Sequence, residues 1–342
     1  MMEMKYRLWA CLLFLPMVLW ASGRPKVAVV LSGGGAKGTA HIGALKVIEE
    51  AGIPIDYVVG TSMGAIVGGL YSIGYTPQQL DSMVNAQNWK FLLSDAPNPK
   101  DVLLDDRLKS ERYVLSIPFS LKSAAVSDAG IIKGKNLARL FSTLTEGYQD
   151  SVDFSRLPIP FACVSENLVN GSEVVFHEGI LATAMRSSMS IPGVFAPVDL
   201  DGMVLVDGGM VNNYPVDVAL AMGADYIIGV DVQSPLLKAS ELKSVKDIFG
   251  QFINLQGEKK YRENLRNTDV LIKVDVTGYS AASFTKEAID TLMVRGERAA
   301  MDSWDGLLAL KRKLGLAEDY QPRRPGPVSY THLRAHETLR HL

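Results

Sequence analysis

Histidine and cysteine are scarce in this chain, with five histidines and two cysteines among 342 residues. Three histidines fall in the last stretch of sequence, from Val328 onward, so only His41 and His177 lie in the body of the chain. Cys11 lies in an apolar N-terminal run, and Cys163 is the only cysteine after it. A single cysteine cannot form an intramolecular disulfide, so stability must come from a buried core rather than from cross-links.

An excess of charge is also missing. The 35 basic and 37 acidic residues give a formal net charge of -2, and no basic stripe is interleaved with aromatic residues. Nucleic acid is therefore not an expected partner. Hydrophobic residues make up 47% of the chain, which predicts a globular protein with a sizeable core. We find no repeat and no low-complexity linker, so one domain is the simplest organisation.

The first 23 residues have the pattern of a secretory signal peptide. Lys5 and Arg7 form a basic start, residues 8–20 are apolar, and residues 21–23 are small enough for cleavage. The apolar run is shorter than the roughly 20 residues that span a bilayer. We therefore expect export to the periplasm, the outer membrane or the cell surface of a Gram-negative bacterium. An uncleaved anchor is the alternative.

Apolar strand-like runs alternate with helical patterns along the chain. This alternation predicts an α/β layered fold with a largely parallel sheet. Strands are predicted at residues 26–32, 57–59, 161–165, 173–176, 204–206, 226–232 and 270–274. Helices are predicted at residues 38–50, 63–73, 135–144, 180–189, 215–222, 245–256 and 286–314, with a further helix capped by Thr76 and Gln79. Residues 88–133 are irregular, with a possible hairpin at 113–126. They predict a surface insertion or a lid over an apolar pocket.

A glycine-rich loop joins the first predicted strand to the first predicted helix. Its residues are Gly33, Gly34, Gly35, Ala36, Lys37 and Gly38. The spacing fits a dinucleotide fingerprint, but the second strand ends at Ser62 without the acidic residue that would hold a ribose. No Gly-Lys-Ser/Thr follows, so a P-loop is also disfavoured. The backbone N–H groups at this helix start remain suited to an oxyanion or a phosphate.

The second predicted strand runs into the pattern G-x-S-x-G, formed by Gly60, Ser62 and Gly64. Between a strand and a helix, this pattern is typical of a nucleophile elbow, which holds a serine hydroxyl out of the sheet. The glycines are needed because a Cβ at either position would collide with nearby backbone. Ser62 is thus the candidate nucleophile. A solvated serine in a tight turn is the alternative.

The serine needs a base, and histidine is a poor candidate. His41 lies within the first predicted helix, where a packed or surface role is expected, and His177 ends an edge-like strand with no motif around it. Asp207 ends another strand and is followed by Gly208 and Gly209, which leave room for its carboxylate to reach a hydroxyl. An ordinary Asp-Gly turn is the alternative. Because parallel strands end at one edge of a sheet, we expect Asp207 to lie near the elbow.

The three motifs in this order resemble the patatin-like phospholipases, whose marks are G-G-G-x-[KR]-G, G-x-S-x-G and D-G-[GA]. The likeness extends to residues 41–43 and 186–193 and covers residues 25–237. Ser187 is a departure, since alanine is usual there. The resemblance implies a three-layer α/β/α sandwich with a largely parallel sheet. It also implies a dyad in which Ser62 is the nucleophile and Asp207 its general base. The loop would supply the oxyanion hole. The glycines of the other two motifs would support the turns that carry Ser62 and Asp207: Gly60, Gly64, Gly208 and Gly209.

The implied activity is hydrolysis of acyl esters in phospholipids or other lipids, as in phospholipase A or lysophospholipase, at a membrane surface and without metal or cofactor. The hydrolase domain is expected at residues 24–327. Some bacterial members with a signal peptide continue into a POTRA-like segment and an outer-membrane β-barrel, and we expect the natural chain to have continued past residue 327. Residues 328–342 are expected to be a non-native tail. A catalytically silent, exported lipid-binding module is the alternative function, and intact Ser62 and Asp207 argue against it.

Overall fold

The computed structural model describes residues 24–97, 132–243 and 245–323. The expected signal peptide, the possible hairpin at residues 113–126 and the expected tail all lie outside these ranges. These expectations, together with the domain bounds, stay predictions. The predicted lid region, residues 88–133, is described only near its two ends.

A mostly parallel sheet forms the centre of the described chain. The strands are β1 (Val27–Leu31), β2 (Tyr57–Thr61), β3 (Val152–Asp153), β4 (Phe161–Asn167), β5 (Ser172–Phe176), β6 (Glu178–Gly179), β7 (Val198–Leu200), β8 (Met203–Asp207), β9 (Tyr226–Asp231) and β10 (Val270–Lys273). Eight of them form one sheet in the order β10-β9-β1-β2-β4-β8-β7, with β5 also paired to β4. The strands from β10 to β4 are parallel to one another, whereas β5, β7 and β8 pair antiparallel to their neighbours. Strands β3 and β6 form a separate small ladder.

Helices cover both faces of the sheet. They are α1 (Ala40–Glu50), α2 (Met63–Ser72), α3 (Pro77–Ala86), α4 (Trp89–Leu92), α5 (Lys135–Leu144), α6 (Leu181–Ser188), α7 (Gly209–Asn212), α8 (Val216–Ala221), α9 (Val245–Arg266), α10 (Lys286–Asp302) and α11 (Trp304–Lys313). A 3₁₀ helix, Gly35–Thr39, precedes α1. None of the helices in the described ranges is both long enough and apolar enough to cross a bilayer.

The central strand β1 is buried on both of its faces, which explains its uninterrupted apolar sequence. Val27, Val29 and Leu31 belong to one buried cluster, which includes residues of α1, α2 and α10. Ala28 and Val30 belong to a second cluster, which includes residues of α8 and is packed by Tyr261 and Leu265 of α9. The predicted three-layer α/β/α architecture is therefore confirmed.

Two helix boundaries differ from the prediction. The segment predicted as one helix, residues 286–314, is broken at Ser303, where the hydroxyl donates to the Ala299 carbonyl at 3.0 Å. Such side-chain bonds compete with the helical backbone ladder. Helix α9 continues to Arg266 instead of ending near residue 256, because Tyr261 and Leu265 pack on the second core cluster. The predicted cap at Thr76 is confirmed, with Gln79 N donating to Thr76 Oγ1 at 3.0 Å.

Candidate functional site

Ser62 lies at the sharp turn between β2 and α2. Its backbone has φ 57° and ψ -122°, an unfavourable conformation for a residue with a side chain. Strain of this kind costs about 1–3 kcal/mol and is concentrated at functional sites. A Cβ on Gly60 would lie 2.3 Å from the Gly64 carbonyl oxygen, and one on Gly64 would lie 2.2 Å from the Leu31 carbonyl oxygen. The geometry of this segment is therefore that of the predicted elbow.

A second serine supports this turn. Ser188, at the end of α6, accepts a hydrogen bond from Ser62 N at 2.9 Å and donates to the Val164 carbonyl at 2.6 Å. The Ser188 hydroxyl is completely buried, so it fixes the elbow against strand β4. Ser188 belongs to the segment at residues 186–193 that carries the family resemblance, but that resemblance implied no role for it. Its pairing partners are distant in the sequence.

Strand β8 brings Asp207 to the elbow, but its direction differs from the predicted one. The expectation that parallel strand ends would place it there is wrong, because β8 runs antiparallel to β4, with Asp207 opposite Ser165. Strand β5 occupies one edge of β4, so β2 and β8 both pair along the other edge. Strand β2 pairs there with the earlier residues of β4, from Phe161 to Val164. The carboxyl ends of β2 and β8 therefore meet head to head along β4.

Asp207 is buried, with an exposed fraction of only 7%. Burial raises its pKa from 3.8 to about 6, although hydrogen bonds from the Ser62 side chain and from Gly209 N act in the opposite direction. The Gly209 N to Asp207 Oδ1 distance is 2.8 Å. Gly208 is needed because a Cβ there would lie 2.3 Å from the Val164 carbonyl oxygen. The Ser62 side chain thus lies close enough to interact with the Asp207 carboxylate, whose pKa is raised to about 6.

The glycine loop lies beside this pair, but most of its amides are already used. Gly33 N donates to the Asn213 carbonyl at 3.1 Å, Ala36 N to the Ala281 carbonyl at 2.8 Å, and Lys37 N to the Gly34 carbonyl at 3.3 Å. Gly38 lies inside the 3₁₀ helix, with the Met63 side chain filling the space where a Cβ would be.

Two loop amides remain available. Within the described chain, neither Gly34 N nor Gly35 N has a hydrogen-bond acceptor. Gly35 has φ +57°, and a Cβ there would lie 2.4 Å from the Ala281 carbonyl oxygen, so only glycine fits. Among the six predicted loop residues, Gly34 and Gly35 are therefore the ones with free donors.

Neither histidine of the described chain has the properties of a base for Ser62. His41 is completely buried in α1, and its Nε2 lies 2.8 Å from the Ser32 carbonyl oxygen. Burial lowers the pKa of His41 to about 4, so the ring is neutral and holds the backbone just before the glycine loop. The expected packed role of His41 is confirmed. His177 is exposed at the end of β5.

The candidate residues line one open cleft with a volume of about 380 Å³. Ser62, Asp207, Gly34 and Gly35 lie on its wall, together with Lys37. Lys37 Nζ donates to Ser234 Oγ at 3.0 Å. Burial, reinforced by the nearby charge of Lys273, lowers the pKa of Lys37 to about 8.

An apolar cavity lies on the helical side of the elbow, between α2, α3 and α5. Met63, which follows Ser62, contributes to its wall with Met189 and with residues of the three helices, including Ile66, Leu70 and Leu140. The free volume is about 50 Å³. This is smaller than the roughly 150 Å³ cavities that admit a benzene ring, so a long ligand would have to separate these helices.

The fold and this arrangement define a class of α/β proteins in which an elbow serine and a carboxylate meet at one edge of a mostly parallel sheet. Residues 29–220, more than half of the chain, match the family model for patatin-like phospholipase. The chain belongs to the patatin-like phospholipase family.

Curated relatives agree with this assignment. An uncharacterized NTE family protein of Mycobacterium tuberculosis is 32% identical over 211 residues, which are 62% of this chain and 50% of that protein. Patatin-like phospholipase domain-containing protein 6 of Homo sapiens is 32% identical over 61% of this chain and 13% of its own length. Lysophospholipase NTE1 of Mycosarcoma maydis is 27% identical over 82% of this chain and 15% of its own length. The chain spans half or less of the length of these relatives.

Among solved structures, human GIVD cytosolic phospholipase A2 aligns with 85% of this chain and 60% of its own, with a TM-score of 0.48 and 13% sequence identity.

Proposed function

We propose that this protein is a serine acyl hydrolase that cleaves fatty-acyl esters of phospholipids or other lipids through Ser62 and Asp207. The observation that carries the proposal is that Ser62 and the buried Asp207 lie together on one cleft, where two loop amides have no acceptor among the described residues and the Ser62 side chain acts to lower the Asp207 pKa. A nucleophile, a base and oxyanion donors are the three components that acyl transfer requires. Membership of the patatin-like phospholipase family supports the lipid substrate.

The proposed reaction has two steps. The Asp207 carboxylate accepts the Ser62 proton while Oγ attacks the acyl carbonyl carbon, and Gly34 and Gly35 N–H groups stabilise the oxygen that becomes negative. The tetrahedral intermediate collapses, and the leaving alcohol takes the proton from Asp207. Water then gives its proton to Asp207 and attacks the acyl-Ser62 ester, which releases the fatty acid and restores the hydroxyl. Removal of one oxyanion donor typically lowers the rate about 100- to 1,000-fold.

The surroundings of the site support an apolar acyl group and a polar head. The apolar cavity begins at Met63, next to the nucleophile, whereas the open cleft carries Lys37 and Ser234. In this proposal the ester bond is held at Ser62, the acyl chain extends toward the cavity, and the head group remains in the cleft. The name of the fungal relative, a lysophospholipase, is consistent with a single-chain lipid.

Fluorophosphonate labelling tests the nucleophile. We expect the wild-type protein to be labelled at Ser62, and Ser62→Ala to lose both the label and the hydrolysis of a chromogenic ester. Ser155→Ala, which changes an exposed serine outside the cleft, is the matched control and should behave as wild type. A label that persists in Ser62→Ala would refute the assignment. A folded wild-type protein that is neither labelled nor active would instead favour a silent lipid-binding module.

We also propose that the protein is exported to the bacterial cell envelope, on the basis of residues 1–23 alone. The mass of the protein recovered from a periplasmic or membrane fraction tests this proposal. An N-terminus that begins near Arg24 is expected, whereas an intact Met1 in the cytosol would contradict it.

A further inference from the structure

Asn213 contacts both loops of the proposed site, although no motif of the sequence analysis included it. Its carbonyl accepts the Gly33 N hydrogen bond at 3.1 Å, and its Nδ2 lies 3.4 Å from the Gly33 carbonyl oxygen. Its Oδ1 lies 2.2 Å from the point where a Cβ on Gly33 would be, and 2.8 Å from the corresponding point on Gly209. Asn213 therefore fills the space between the glycine loop and the turn that carries Asp207.

The neighbouring residue connects the same segment to the elbow. The carbonyl of Asn212 accepts a hydrogen bond from Thr61 Oγ1 at 2.8 Å, immediately before Ser62. The pair Asn212 and Asn213 thus touches β2, the glycine loop and the Asp207 turn. The Asp207 turn lies more than 100 residues after both β2 and the glycine loop in the sequence, so these contacts join segments that are distant in the chain.

The orientation of the Asn213 amide is fixed by Gln233. Asn213 Nδ2 donates to Gln233 Oε1 at 2.8 Å. Gln233 must present its oxygen there, because its own Nε2 donates to Asp231 Oδ1 at 3.2 Å. Gln233 N also donates to Asp231 Oδ1, at 2.9 Å. Asp231 therefore fixes the orientation of the Gln233 side-chain amide, and Gln233 in turn fixes that of the Asn213 amide.

Asp231 anchors this series at the end of β9. It is completely buried, and its other oxygen accepts hydrogen bonds from Lys273 Nζ and from Tyr261 Oη, each at 2.5 Å. A buried carboxylate with a cationic partner and several hydrogen bonds is strongly held in one position. Asn213, Gln233 and Asp231 are not needed as acid, base or nucleophile in the proposed reaction.

We propose that Asn213 is a positioning residue, which holds the Gly33–Gly35 segment in register with Ser62 and Asp207 and is itself oriented by Gln233 and Asp231. This inference rests on the proposed acyl hydrolase function. Its physical basis is that oxyanion donors act through preorganised geometry, and a misplacement of about 1 Å can lower a rate about 100-fold. Loss of Asn213 should therefore affect the transition state more than the binding of substrate.

Steady-state kinetics on the full chain with a chromogenic ester test this inference. For Asn213→Ala we expect kcat to fall about 10- to 100-fold while KM stays within about twofold, because the loop loses its alignment but the cleft remains. Gln233→Glu removes the donor to Asp231 and should give a smaller fall in kcat. Asn170→Asp is the control. This exposed residue lies in the β4–β5 turn, where its Oδ1 accepts from Ser172 N, and the change keeps that acceptor.

The pH profile of Asn213→Asp tests the contact of residue 213 with the Asp207 turn, on which the positioning role depends. A carboxylate at residue 213 would lie beside Asp207 and would raise its pKa, as a neighbouring like charge does. The acid limb of kcat/KM should then move to higher pH by about one unit. Glu166 is the other carboxylate that interacts electrostatically with Asp207, and it is unchanged in this variant. Asn170→Asp should leave the limb in place.

The outcomes distinguish the two proposals. A wild-type protein that is neither labelled by fluorophosphonate nor active refutes the proposed function, and this inference with it. An active wild type with unchanged kcat in Asn213→Ala and an unmoved acid limb in Asn213→Asp refutes the positioning role alone. Should Asn213→Ala fail to fold, Asn213→Asp and Gln233→Glu decide the question, since both replace a side chain by one of nearly the same shape.

Discussion

Replacement of Asp207 by asparagine should make the protein more stable and inactive at the same time. Burial raises the pKa of Asp207 from 3.8 to about 6, so folding disfavours the ionised form of this carboxyl group. At about 1.4 kcal/mol per pKa unit, the rise corresponds to roughly 3 kcal/mol. Because the residue is only 7% exposed, solvent screening reduces this figure little.

The sign of the effect follows from linkage. A group whose pKa is higher in the folded than in the unfolded state destabilises the fold above its folded pKa, and the destabilisation disappears as the pH falls toward its unfolded pKa. For Asp207 this window extends from about pH 6 down to 3.8. Asp207→Asn should therefore raise the free energy of unfolding by up to roughly 3 kcal/mol at pH 7 and by less than about 1 kcal/mol at pH 4. Asparagine keeps an oxygen that can accept from Gly209 N.

Denaturant unfolding at pH 7 and pH 4 measures the difference, with Asp199→Asn as the control. Asp199 is exposed on β7, so its replacement should change stability by no more than about 0.5 kcal/mol at either pH. Ester hydrolysis by Asp207→Asn should fall at least about 100-fold, because the variant lacks the proposed general base. In the wild type, kcat/KM should decline as the pH falls through about 6. An Asp207→Asn variant that is less stable than wild type at pH 7, or equally stabilised at both pH values, would refute this reasoning.

Three further predictions concern the support of the site and the apolar cavity beside it. Ser188→Ala should lower the free energy of unfolding by about 1–3 kcal/mol and slow fluorophosphonate labelling, because Ser62 N loses its buried acceptor. Ser187→Ala is the control: its hydroxyl donates to the Thr183 carbonyl of the same helix, so labelling should change little. Gly208→Ala should cost at least about 1–3 kcal/mol in thermal unfolding, since its Cβ would overlap the Val164 carbonyl. Gly306→Ala should be neutral or stabilising, because a Cβ at this helical position would make only an ordinary van der Waals contact with Val270. Ile66→Trp should narrow the apolar cavity and reduce the preference for long over short acyl esters about tenfold, measured as a ratio of kcat/KM values; an unchanged ratio would show that the acyl chain lies elsewhere.

Local patterns predicted much of the fold and the position of the candidate site. The apolar run of β1 and the alternation of strands and helices indicated a parallel sheet covered on both faces, which the structure confirms. The elbow around Ser62 and the glycine loop were predicted because the backbone turn at each junction requires glycine locally. The shortage of histidine in the sequence favours Asp207 as the candidate base.

Local sequence patterns could not predict the direction of β8. A short apolar strand has the same sequence appearance whether it runs parallel or antiparallel to its neighbour, because its direction depends on the path of the chain between strands. The prediction that Asp207 lies near Ser62 thus rested on a wrong strand direction. Only the pairing of β2 and β8 along β4 explains how the carboxyl ends of these two strands meet.

The sequence by itself determined which chemical groups this protein offers: an elbow serine, a carboxylate after a strand, a glycine loop, and almost no histidine. Only the tertiary structure decided how these groups are arranged. It offers the amides of Gly34 and Gly35 no acceptor among the described residues, raises the pKa of Asp207 by burial, and brings Ser188 and Asn213 into contact with the candidate site. These properties depend on hydrogen-bond partners and on burial contributed by segments far apart in the chain. Such contacts exist only once the sheet has assembled.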